Sequence, residues 1–299
     1  MTRRHIPVPR ANQLLIELHA AALNHRDLFI RRHLYPGVAF AVPLFADGCG
    51  TVREAGSKTL EQQWKGKRVI LTPGHGWNGS KLGPEKPYTV RGGTVNAPEG
   101  VLQEWIVVDS SEVEEAPGHL TVEEAAALPL TGLTAWRALT TKSQNAAAGR
   151  NILITGAGGG VALMALLYAR QMGINAYVNA ANEERIEQAV KMGARGGVLF
   201  HDPSWPGKLY QMLPKERKYL DAVIDGAGAD IAAKVLKLLK VSDAKYLCII
   251  EAEDLRSVAW GDNCQLRDDN RPSSRISHEC CNAKYPVPWD DNGIALRVR

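Results

Sequence analysis

Residues 151–173, NILITGAGGGVALMALLYARQMG, most constrain what this chain can fold into. The stretch opens with consecutive apolar, β-prone residues, the signature of a strand hidden on both faces. It then turns through Gly156, Gly158, Gly159 and Gly160 and enters an apolar pattern with helical spacing. Strand, tight glycine turn and helix, in that order, begin a βαβ unit.

The alternation continues downstream. NAYVNAA, EERIEQAVKMGA, GVLF, DAVIDGAG and IAAKVLKLLK read in turn as strand, helix, strand, strand and helix. Strands buried between helical layers imply a parallel, doubly wound sheet. Upstream the texture differs. NQLLIEL, the segment around FADGCGTVREAG, GKRVIL and LQEWIVVD are short β-prone runs bounded by Gly and Pro, which argues for a β-rich, barrel-like unit. Residues 78–99 are polar and rich in Gly, Pro and Lys, the composition of a mobile surface loop. Near Thr121 a helix is expected to start, with Thr121 as cap and Glu123 and Glu124 in its first turn. The expected organisation is a β-rich domain over 1–122, a doubly wound domain over 123–253 and an atypical, poorly ordered tail over 254–299. That tail shows neither period two nor period 3.6.

Composition excludes several classes. With 299 residues, 45% hydrophobic and 23% charged, the chain has enough apolar material for two cores and is not disordered throughout. A net charge of +4, with the basic residues scattered, leaves no footprint for nucleic acid or a membrane surface. No apolar run approaches the roughly 20 residues needed to cross a bilayer. Arg3 and Arg4 have no apolar core behind them, so a secretory signal is not expected and a cytoplasmic location is. Of five cysteines, Cys49 stands alone and Cys248, Cys264, Cys280 and Cys281 fall in the last fifth. That spacing suits unpaired thiols better than a zinc knuckle or a disulfide framework.

A glycine turn between a strand and a helix lets the backbone approach a pyrophosphate, and the helix adds unpaired N–H groups and a positive dipole end. Gly156, Ala157, Gly158, Gly159, Gly160 and Val161 are the candidates for that cradle. Their spacing is not the standard GxGxxG: in register it reads Ala157-x-Gly159-x-x-Ala162. An NAD site usually carries Asp or Glu at the end of the second strand, about 20 residues on. Here Ala180 and Ala181 stand there, while Asn182 and Arg185 follow with donors suited to a 2′-phosphate. NADP(H) is therefore the expected cofactor. Arg185 as an ordinary solvated helix residue is the competing interpretation.

AAALNHRDL, YPGVAFAVPLFADGCGTV, GKRVIL, EEAAALPLTGLTAWRAL, ILITGAGGGVA and DAVIDGAG together resemble the medium-chain dehydrogenase/reductases. The likeness is to the quinone oxidoreductase, enoyl reductase and zinc-type alcohol dehydrogenase-like branch, and it runs from about residue 6 to 240. It implies an α/β fold: a GroES-like β-rich barrel domain, here incomplete, followed by a Rossmann doubly wound parallel-sheet domain, with the active site in the cleft between them. In the zinc branch a Cys, a His and a second Cys hold the catalytic metal. The matching positions in this chain are Asn24, Ala46 and Leu130, so no metal is expected. The four cysteines of the family's structural zinc lobe are also missing from 78–99, and His25, His33 and His75 show no metal spacing.

The resemblance implies hydride transfer from NADPH to a quinone, an α,β-unsaturated carbonyl or a related alcohol or aldehyde. Asn24 is the leading catalytic candidate, with a turn-stabilising role about equally open, and His25 and Tyr35 are further donors. Asp47 is expected to be structural. Thr134 and Gly226 match positions beside the cofactor. The substrate is a small molecule, and a homodimer is the implied assembly. The chain departs from the family in two places. The segment before IPVPRANQLLIEL is short, and beyond about residue 245 the family pattern is lost, although YLCIIEA still reads as a sheet strand. A truncated or catalytically silent NADP-binding protein is the alternative.

Overall fold

β1 (Gln13–Ala22) organises the first of two units into which the chain divides, the boundary lying between Leu130 and Thr131. The computed structural model describes residues 5–77, 79–80, 84–228, 230–242, 244–248 and 295–297. Among them no helix is long and apolar enough to cross a membrane.

After β1 come α1 (His25–Arg31), β2 (Asp47–Ala55), α2 (Lys58–Trp64), β3 (Arg68–Leu71), β4 (Gly74–His75), β5 (Thr89–Val90), β6 (Trp105–Asp109), β7 (Val113–Glu115) and α3 (Val122–Ala127). The antiparallel order is β1-β2-β3-β7. β6 joins the other edge of β1, from Gln13↔Asp109 to Glu17↔Trp105. Leu14, Ile16 and Leu18 alternate onto one face of β1 and pack with Val52, Val69, Leu71, Ile106 and Val108. Ala20 packs instead with Cys49 and with Ala125 and Ala126 of α3. The pairing with β2 slips at Leu15/Ile16 and again at Leu18/Ala20, irregularities of the kind that bend a strand and increase its twist. Thr121 caps α3 as the sequence predicts, in a capping box with Glu124.

One short helix and one loop differ from expectation. NHRDL reads as a polar turn, yet residues from His25 onward form α1 because the Asn24 N–H donates to Asp27 Oδ2 at 2.8 Å. The end of the segment read as a mobile loop is built into the unit. The Arg26 guanidinium takes the carbonyls of Arg91 at 2.8 Å and Gly92 at 3.0 Å, and Arg91 itself, 2% exposed, donates to Glu112 at 2.8 Å.

α4 (Pro129–Trp136) spans the boundary and runs on through a π-turn, Arg137–Lys142. The second unit then alternates β8 (Asn151–Ile154), α5 (Gly160–Gln171), β9 (Asn175–Ala180), α6 (Glu183–Met192), β10 (Gly196–Leu199), α7 (Trp205–Met212), β11 (Ala222–Asp225), α8 (Ile231–Val235) and β12 (Lys245–Cys248). All strand pairings are parallel, in the order β10-β9-β8-β11-β12. The first strand is central, so the order reverses between β8 and β11, the place where doubly wound sheets bind nucleotides. Ile152 and Ile154 face Ala165, Leu166 and Ala169 of α5. Leu153 faces Trp205, Leu209 and Val223 on the other side. Both faces are covered, which is why the strand reads as an unbroken apolar run; each such side chain buried is worth about 1.5–3 kcal/mol.

Of residues 254–299, read as an atypical tail, only 295–297 lie within the described residues. They form β13 (Ala295–Arg297), antiparallel to β1 from Ala20↔Arg297 to Ala22↔Ala295. These three residues thus return to the first sheet, which the loss of pattern in the sequence beyond about residue 245 did not lead one to expect.

Asp221, 1% exposed, anchors the start of the parallel sheet. It accepts from Arg150 Nη1 at 3.0 Å, the Asn151 N–H at 2.8 Å and Arg217 Nε at 2.8 Å. Burial alone would raise its carboxyl, but Arg217, the Asn151 amide and Arg150 outweigh it and hold the group below its ordinary value. Its contribution is therefore complete above the ordinary carboxylate range and is lost as pH falls through the lowered value. Asp221→Ala is expected to cost about 3 kcal/mol, the lower end for a broken buried pair because both arginines reach solvent. Urea unfolding at neutral and acid pH checks this: the loss should shrink as pH falls.

Candidate functional site

The glycine turn joins β8 to α5, with Gly159 as N-cap. Gly156 and Gly158 have φ of +69° and +130°, conformations that side chains rarely adopt. The Gly159 N–H closes the turn on the Gly156 carbonyl at 3.0 Å. Two of the candidate donors are committed within the fold: Gly156 N–H to Asn179 Oδ1 at 2.9 Å, and Ala157 N–H to the Asn179 carbonyl at 3.0 Å. Their part is to shape the turn. The donors left for an anion are at the start of α5, where Gly160 and Val161 occupy positions whose N–H groups have no intrahelical partner. No acid stands in that first turn. Asn179, missed in the sequence, is fully buried, and its Nδ2 has no partner among the described residues.

β9 ends at Ala180, and Asn182 caps α6 by accepting the Arg185 N–H on Oδ1 at 3.0 Å. Arg185 reaches from α6 to the turn. A Cβ placed on Gly158 would lie 2.9 Å from its Nη1. Thr134 is half-buried on α4, but the α4 residue that meets the turn is Thr131, whose Cγ2 would stand 2.8 Å from a Cβ on Gly160. Gly226, just past β11, donates its N–H to Thr155 Oγ1 at 2.9 Å. These groups fit a dinucleotide: an anion-ready helix start, a bare turn and a guanidinium beside it.

In the first unit Asn24 is half-buried, and its Nδ2 donates to Asp47 Oδ2 at 2.8 Å. Asp47, fully buried, also accepts the Leu130 N–H on Oδ1 at 3.0 Å. His25 is exposed. Tyr35 is half-buried, with the Arg26 guanidinium 4.9 Å from its ring centroid. His75 bonds Glu112, the carboxylate that also takes Arg91.

Residues 10–118 match the alcohol dehydrogenase GroES-like domain. The chain is 45% identical over 283 residues to the zinc-type alcohol dehydrogenase-like protein YogA of Leptosphaeria maculans, covering 88% of this chain and 79% of that one. It is 27% identical over 237 residues to the quinone oxidoreductase of Mus musculus, covering 78% and 63%. The crystal structure of an NAD-dependent alcohol dehydrogenase aligns with a TM-score of 0.72 at 28% identity, over 82% of this chain and 71% of that one. A GroES-like β unit followed by a parallel sheet with a glycine turn at its switch point defines a two-domain α/β oxidoreductase. The chain belongs to the medium-chain dehydrogenase/reductase superfamily.

Zinc does not fit the donors present. Asn24, Ala46 and Leu130 are the positions the family resemblance assigns to the metal ligands, and Ala46 and Leu130 bring no side-chain donor. Among the described residues no three His, Cys, Asp or Glu side chains cluster to hold an ion. The polar group in their midst is Asp47. Burial pushes its carboxyl up to about 7 against the opposing hydrogen bonds from Asn24 and Leu130; Asp27 adds to the rise and Arg26 resists it. An unfolded Asp titrates near 3.9, so between about pH 4 and 7 the unfolded chain releases a proton that the folded one keeps. Stability should therefore fall as pH rises through that window and level off above it. Asp47→Asn is expected to flatten that slope, the Asn24 amide turning over to present Oδ1, with burial of Asp27 leaving a smaller slope of the same sign. Urea unfolding in steps from pH 4 to 8 measures it, and an unchanged slope in the variant would refute the assignment.

Proposed function

We propose that this chain is a zinc-independent, NADPH-dependent reductase of a quinone or an α,β-unsaturated carbonyl. The observation that carries the cofactor choice is Arg185 against Gly158, with alanines rather than an acid at the end of β9. A guanidinium beside the turn favours a 2′-phosphate, and no carboxylate at the strand end repels it. When bound, the reduced nicotinamide supplies a hydride. The chain's own residues bind, orient and protonate. Gly158 to Val161 present the turn and helix start to the pyrophosphate. Tyr35 and His25 are the donors for the oxygen on which charge grows as the electron-poor carbon is reduced. Asn24, whose Nδ2 is committed to Asp47, orients substrate through its remaining oxygen. The quinone oxidoreductase likeness supports the substrate class, and the lack of zinc donors supports reduction without a Lewis acid.

The commitment of Asn24 to Asp47 also favours a second reading, an NADP-binding protein of the same fold that does not turn over. Fluorescence titration with NADPH and NADH, followed by NADPH oxidation with a panel of quinones and enones, separates the two. NADPH is expected to bind at least tenfold more tightly than NADH. Arg185→Ala should weaken NADPH binding by about 10–100-fold, the range for a lost hydrogen bond to a charged group, and leave NADH unchanged. Equal affinities in the wild type, or no effect of Arg185→Ala, would overturn the cofactor assignment. Tight NADPH binding without turnover would favour the second reading.

A further inference from the structure

Asp225 closes β11 and is fully buried. Its Oδ1 accepts the Thr155 hydroxyl from the end of β8, together with the N–H groups of Ala227 at 3.0 Å and Gly228 at 3.1 Å. Its Oδ2 accepts the hydroxyl of Tyr246 on β12. Thr155 Oγ1 in turn accepts the N–H groups of Gly226 at 2.9 Å and Ala227 at 3.1 Å. One carboxylate thus ties the carboxyl ends of β8 and β11 to a side chain of β12 and sets the backbone path of residues 226–228. That path borders the switch point where doubly wound sheets receive nucleotides.

We propose that Tyr246 is a positioning residue for the cofactor. By holding Asp225 from β12, it keeps the 226–228 backbone in its binding shape, and so couples cofactor affinity to the docking of β12. The proposal rests on the nicotinamide-dependent reading above. It also assigns a role to a stretch that departs from the family pattern. Tyr246 pairs with Val223 in the parallel register, and its ring packs against the cluster of Trp205, Leu209 and Val223. Its hydroxyl makes the tie to Asp225, so Tyr246→Phe keeps the ring and its packing while removing that bond.

The experiment measures NADPH affinity by fluorescence titration, KM and kcat by NADPH oxidation, and amide hydrogen exchange, all on the full chain. In Tyr246→Phe the Kd and KM for NADPH should rise about tenfold, with kcat falling by less. Exchange at Gly226, Ala227 and Gly228 should accelerate while β8 and β9 stay protected, a pattern that general loosening of the unit would not give. Thr155→Val, which removes the same tie from the β8 side, should reproduce it. Wild-type binding with unaltered affinity and exchange in Tyr246→Phe would overturn this proposal alone. Wild-type protein that binds neither NADPH nor NADH would overturn the functional reading and this proposal with it.

Discussion

A single strand of the parallel sheet, β11, carries a buried carboxylate at each end, and the second unit is built around how those two charges are satisfied. Asp221 lies just before the strand and Asp225 is its last residue. A sheet covered on both faces gives neither group access to water, and an unpaired charge there would cost several kcal/mol. The two ends solve this differently. Asp221 draws on two arginines as well as a backbone N–H. Among the described residues Asp225 has only neutral donors: two hydroxyls and two backbone amides. Full cations pin the end away from the nucleotide side. Neutral donors pin the end beside it, fixing loop geometry without placing a cation in the crevice floor.

The first unit uses the opposite arrangement, an arginine gathering carbonyls. Arg26, 8% exposed, takes the Arg91 and Gly92 carbonyls and stands 3.6 Å from Asp27. A polar, glycine-rich segment is thereby drawn against α1, and its backbone is satisfied without joining the main sheet. The same helix start presents Asn24 to Asp47. There a buried carboxyl group with two donors, the Asn24 amide and the Leu130 N–H, organises the corner.

How legible these features were in the sequence follows the range of the interaction that decides each one. β8, the turn and α5 were readable because an apolar run, glycines and helical spacing are all local. β12 was readable from YLCIIEA for the same reason. α1 and α2 were not, since helices of seven residues are decided by capping: Asp27 Oδ2 on the Asn24 N–H, and Ser57 Oγ on the Leu60 N–H at 3.4 Å. β13 is three residues whose strand character depends on β1, hundreds of positions away in the chain. Arg91 was read as loop because composition does not reveal that Glu112 and Pro73 receive it. At the site, the glycines were legible, whereas Asn179 and Asp225 were not given their roles. A polar residue at the end of an apolar strand signals a buried partner, but only the fold identifies it as the turn beside it.

The acids near β9 show how a shift of a few residues changes chemistry. At the end of a strand, Asp or Glu faces the nucleotide and accepts from its ribose hydroxyls. Glu183 and Glu184 instead lie in the first turn of α6, beyond the Asn182 cap, where negative charge complements the helix dipole. They stabilise the helix that carries Arg185, and Arg185 leans back over Gly158. The absence of a side chain at Gly158 is what leaves room for that guanidinium. Two small features, a missing Cβ in the turn and a carboxylate displaced into the next helix, thus act in one direction: both raise the positive potential where the turn meets its ligand.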